Sequence, residues 1–173
     1  MAAPSPLRVL TTLKIPDLKV RISPSIVPLY REQEILSNKF HPRRPRYLAL
    51  IADTPSDILR WVVSTDLCAR ALPLSTQRFR LRRRWTGAIV TALRERGLDR
   101  KGRLVGRDGG REERVQAPVL RGTVEITVYA GYGAEQSAGV LARQAGCVVE
   151  ALMKSGLVVQ TPGNGKGGVK MDR

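Results

Sequence analysis

The sequence predicts an α+β protein: a small mixed or antiparallel sheet with two or three helices packed on one face, fringed by basic extensions. Three observations lead there. Hydrophobic residues make up 42% of the chain and aromatic residues only 5%, which describes a folded protein with an aliphatic core. Val124, Ile126, Val128 and Ala130 alternate with Thr123, Glu125, Thr127 and Tyr129, the two-residue period of a strand. After Gly131-Tyr132-Gly133 the period changes, and Ala138, Leu141, Ala142, Ala145, Val148, Val149 and Leu152 form one helical stripe over 134–154. At 173 residues the chain suits one domain with tails.

In chain order, residues 1–46 read as a basic, proline-rich extension. Within it, 7–15 and 18–22 flank a Pro16-Asp17 turn and form a hairpin, and 23–45 make an extended connector. The core spans 47–160. It begins with a short buried strand over 47–52, followed by a helix over 55–72, where Thr54 caps, Pro55 takes the first turn and Pro73 ends the run. Arg78 to Arg84 admits two readings: an extended arm before a helix from Trp85 or Thr86 to Arg96, which the off-stripe Phe79 favours, or one helix from near Ser75. Gly97 stands just past its end. Mixed charge and closely spaced glycines make 98–118 a long mobile loop, 157–160 an edge strand after Gly156, and 161–173 a flexible basic tail.

Charge gives the main functional signal. The net charge is +15, and 23 of the 30 cations are arginine. Such an excess repels itself in the free protein and is relieved by a polyanion. Arginine's planar fork binds phosphate at two points and stacks on bases. Three patches stand out: Arg43, Arg44 and Arg46; Arg78, Arg80, Arg82, Arg83 and Arg84; and Arg100, Lys101, Arg103, Arg107 and Arg111. Phe40, Tyr47 and Phe79 lie beside the first two and are candidates for stacking on unpaired bases, while Trp85 falls on the apolar stripe.

Other chemistry finds little support. Gly131-Tyr132-Gly133 lacks the third glycine of a dinucleotide loop, because Gln136 stands there, and no P-loop lysine follows. His41 is the single histidine, flanked by arginines, and Cys68 and Cys147 lie far apart. No metal or cofactor is therefore expected. Glu112 and Glu113 fall in the loop, and Asp53 and Asp57 suit a turn and a cap. Glu125 and Glu135 remain as the one loosely plausible catalytic pair, so enzymatic activity is not expected. No apolar run reaches the roughly 20 residues of a membrane span. The first 31 residues have a transit-peptide-like balance of basic and hydroxyl residues, broken by five prolines.

These features lead us to expect a non-catalytic component of a ribonucleoprotein that binds RNA, most simply rRNA in a ribosome, alongside neighbouring proteins. A mitochondrial location is expected ahead of a nucleolar or cytoplasmic one. The alternatives are an accessory subunit of an RNA-processing or assembly particle, a peripheral protein on anionic membrane, and an enzyme for a phosphorylated substrate.

Overall fold

The computed structural model describes residues 7–65, 70–105, 119–129 and 132–159. Its centre is strand β5 (Gly122–Val128), every residue of which is buried. On one side β2 (Leu18–Ser23) pairs with it antiparallel, Val20 opposite Ile126 and Ile22 opposite Val124. On the other side β3 (Leu59–Ser64) runs parallel, Val63 opposite Ile126. The two-residue β1 (Arg8–Val9) adds to β2, giving the sheet order β1-β2-β5-β3. This is the α+β architecture and mixed sheet expected from the sequence; β1 and β2 form the expected hairpin, but its first strand covers only Arg8–Val9 of the expected 7–15.

The sheet's two faces differ in chemistry. Val20, Ile22, Leu59, Val63, Val124, Ile126 and Val128 share a core with Leu81, Trp85, Ile89 and Leu93 of α3 (Ser75–Glu95) and with Leu141, Ala145, Val148 and Leu152 of α4 (Ala138–Lys154). Each Val, Leu or Ile side chain among them, fully buried, contributes about 1.5–3 kcal/mol. The opposite face is polar, and the chain from Ser25 through helix α1 (Tyr30–Ser37) runs along it. There Thr123 Oγ1 accepts from the Val27 amide at 3.0 Å and donates to Ser25 O at 3.0 Å. Arg60 pairs with the buried Glu32 at 2.5 Å, and Arg21 pairs with the buried Glu125 at 3.3 Å.

Between β2 and β3 the structure corrects three expectations. The connector contains helix α1, stabilised where the Glu32 carboxylate accepts from the Leu29 amide at 2.9 Å. The run read as a buried strand lies in helix α2 (Arg44–Ala52), with Pro45 in its first turn and no buried residue. The apolar residues had suggested burial, but no strand adjoins them, so local helical bonding satisfies the backbone instead. The helix expected over 55–72 is replaced by a turn at 55–58 and then β3, where Trp61, Val62 and Val63 suit a strand and pair with β5. The division expected at residue 46 thus falls inside α2, and β2 belongs to the core sheet. Residues 66–69 lie outside the described residues.

The alternative reading of the arginine-rich stretch holds: α3 is one helix from Ser75 to Glu95. Phe79 misses the apolar stripe because it is 51% exposed. Beyond Gly97, residues 98–105 fold back in a tight turn with Leu98 buried, and the rest of the expected loop, 106–118, lies outside the described residues. β4 (Val119–Leu120) leads into β5 and pairs with β6 (Val158–Val159), placing a strand where one was expected after Gly156. The C-terminal tail from 160 onward is outside the description.

Candidate nucleic-acid interface

Successive residues of α3 turn by about 100°, so its arginines separate by function. Arg78 and Arg84 turn back onto the protein. The Arg78 guanidinium donates to the Leu72 and Pro73 carbonyls, both at 2.7 Å, fastening the chain that enters the helix. Arg84 donates to the Gly133 carbonyl at 2.9 Å and also to those of Ala134 and Gln136. The glycine turn before α4 is thereby clamped to α3. Gly133 adopts φ +90°, and a Cβ there would stand 2.7 Å from Trp85 Nε1. This close approach explains the glycine without a phosphate.

Arg80, Arg82 and Arg83 point to solvent. The Arg82 and Arg83 guanidinium carbons stand 5.7 Å and 5.9 Å from the centroid of the Phe79 ring. Among the described residues none of the three has an ion-pair partner. These groups line an open cleft of about 680 Å³ together with Arg78, Thr65, Ser75 and Thr76. Among the described residues its walls offer guanidinium groups, hydroxyls and one aromatic face, but no carboxylate, imidazole or thiol. Chemically, that combination is able to hold phosphate and to stack a planar ring.

The other predicted residues fall into two groups. Arg82 also lines a crevice of about 170 Å³ with Arg31, Tyr47 and Glu125, and Tyr47 continues into a neighbouring one with Arg43. The first two basic patches therefore share a rim through the half-buried Tyr47. Arg43 and Arg46 are exposed, whereas Arg44 donates to the Leu36 carbonyl at 3.2 Å. Phe40 is 94% exposed in the bend between α1 and α2, and Trp85 is 0% exposed, part of the core.

Arg100, Lys101 and Arg103 lie toward the far end of β3, where the Lys101 carbonyl accepts from the Leu59 amide at 2.8 Å. Six residues of strand place them about 20 Å from the cleft. Arg103 is paired with Asp57 at 3.1 Å, and Arg107 and Arg111 are outside the described residues. Sequence reasoning missed Trp61 here: its Nε1 donates to the Arg100 carbonyl at 2.8 Å and its ring faces the Arg100 guanidinium at 5.6 Å. It also missed Thr65, whose contribution to the cleft depends on β3 ending beside α3.

The His41 Nδ1 accepts from the Arg43 amide at 3.1 Å. Glu125 is buried against Arg21, while Glu135 is exposed in the turn before α4. Among the described residues no cluster of three or more His, Cys, Asp or Glu could hold a metal ion, and no helix is long and apolar enough to cross a membrane. Comparisons with protein-family models, with curated proteins and with solved structures return no match.

Proposed function

We propose that the protein is a non-catalytic, RNA-binding structural component of a large ribonucleoprotein, with the ribosome as the leading case and a mitochondrial one first among ribosomes. The observation that carries this reading is the cleft on α3, where exposed Phe79 stands among Arg80, Arg82 and Arg83 with no carboxylate among the described residues that line it. An unpaired base stacks on Phe79 while the arginines take the flanking phosphates. The same helix buries Leu81, Trp85, Ile89 and Leu93, so the basic groups are presented from a rigid support. Rigid presentation lowers the entropy lost on binding.

The test is affinity purification at native expression, followed by gradient sedimentation and sequencing of the RNA that travels with the protein. The proposal expects co-sedimentation with mature ribosomal subunits and enrichment of rRNA. Migration with precursor particles alone would make it an assembly factor, and recovery at the top of the gradient without RNA would overturn the proposal.

A further inference from the structure

The crevice beside Tyr47 holds a buried acid among arginines. Glu125 lies on the polar face of the sheet, opposite Val62 in the parallel register, and is 3% exposed. Its Oε2 accepts from Arg21 at 3.3 Å, and among the described residues its Oε1 has no partner. The other carboxylate in the walls, Glu32, is engaged through both oxygens: Oε1 pairs with Arg60, and Oε2 accepts from the Leu29 amide at 2.9 Å. Leu29, Tyr47 and Val62 supply apolar contact, Arg31 and Arg82 supply charge, and the volume of about 170 Å³ admits one planar base. Because β3 is the edge strand of the sheet, Arg82 of α3 reaches this crevice as well as the Phe79 cleft.

We infer that this crevice reads a guanine of single-stranded RNA, Glu125 accepting from the N1–H and N2–H groups of the base and Arg82 donating to its O6. The inference rests on the RNA-binding reading of the cleft, to which it adds the identity of a base. Charge narrows the choice of ligand. A cation is disfavoured beside Arg21, Arg31 and Arg82, and a phosphate is disfavoured against the Glu125 carboxylate. A neutral group that donates to the acid and accepts from an arginine suits both. The Watson–Crick edge of guanine sets two donors side by side with an acceptor next to them. Glu125 can take both, because Oε1 is free and Oε2 keeps a lone pair beside Arg21. Uracil flanks its single ring N–H with two carbonyls, which would face the carboxylate. Adenine and cytosine each offer one amino group next to a bare ring nitrogen. Stacking on Phe79 tolerates any base, so selection falls to the neighbouring nucleotide, whose edge meets the crevice.

The experiment measures binding of the full chain to labelled oligouridylates of one length, either all uracil or carrying a single central guanine, adenine, cytosine or hypoxanthine. The guanine strand should bind about tenfold more tightly than the all-uracil strand. Hypoxanthine, which lacks the N2 amino group, should lose most of that gain, an outcome read on the unaltered protein. Glu125→Gln places an amide N–H against the donors of the base, so this variant should bind every strand alike. If it fails to fold, the hypoxanthine strand still decides. Equal binding of all strands by the unaltered protein would overturn this inference alone, as would hypoxanthine matching guanine or a preference that survives in folded Glu125→Gln. Guanosine monophosphate binding as tightly as the guanine strand would also overturn it, by making the crevice a free-nucleotide site. Failure of every strand to bind would overturn the RNA-binding reading and this inference with it.

Discussion

Replacing Arg84 by Met separates the structural arginines of α3 from those offered to a ligand. The Arg84 guanidinium is half-buried and donates to the Gly133, Ala134 and Gln136 carbonyls, which form the turn entering α4. A hydrogen bond to a charged group is worth about 1.5–3 kcal/mol. Three such bonds from one side chain do not add, because water reaches part of the half-exposed turn once the arginine is gone. The net cost of Arg84→Met is therefore about 2–3 kcal/mol, and methionine retains the apolar stem. For a chain of this length that lowers the unfolding midpoint by about 4–12 °C. Arg83→Met, one residue earlier but exposed, should change stability by no more than about 0.5 kcal/mol. Urea denaturation followed by circular dichroism measures both. The partition fails if Arg84→Met is no more destabilising than Arg83→Met.

Three further outcomes are expected. Gly87 lies within α3, where an added Cβ meets nothing within 4 Å, so Gly87→Ala should stabilise the protein by about 0.5–1 kcal/mol in the same denaturation assay. Removing Glu32 leaves the partly buried Arg60 without its carboxylate, though still donating to the Val27 carbonyl: Glu32→Ala should cost about 2–3 kcal/mol, while the double change Glu32→Leu, Arg60→Met should recover most of it in thermal melts. Lys154, through a hydrogen bond and its charge, holds Glu150 below the usual carboxylate pKa. The pair's small contribution is present above that usual value and lost as pH falls through the lowered one. Glu150→Gln should therefore flatten the acid limb of stability against pH, measured by melts into the acid range.

How much of this was legible follows from which contacts are local. β5 and α4 could be read because their side chains alternate or stripe within one segment, and Gly97 and Gly156 punctuate the helices before them. The stretch from Ser23 to Ser64 departs from expectation because its structure is decided at a distance. Tyr47 to Ala52 has the composition of a buried strand but no partner strand, and Leu59–Ser64 becomes a strand only by lying parallel to β5. The site was half legible. Composition identified Arg78 to Arg84 as a basic segment, but Phe79's departure from the apolar stripe favoured an extended arm, whereas it marks an exposed position on a continuous helix. That Arg78 and Arg84 serve the fold was hidden, because their carbonyl partners arise from chain directions that no spacing rule records. Trp61 beside Arg100 depends on a contact across 39 positions.

The central claim, that exposed arginines around Phe79 take RNA phosphates, is tested most directly by salt-dependent binding. Fluorescence anisotropy of a labelled oligouridylate, titrated with the full chain across a potassium chloride series, gives the slope of log K against log salt. Each phosphate neutralised on single-stranded RNA contributes about −0.7 to that slope, so replacing Arg80, Arg82 and Arg83 by Ala should make it shallower by about 2. The variant should unfold at the temperature of the unaltered protein. An unchanged slope in a fully folded triple variant would contradict the account.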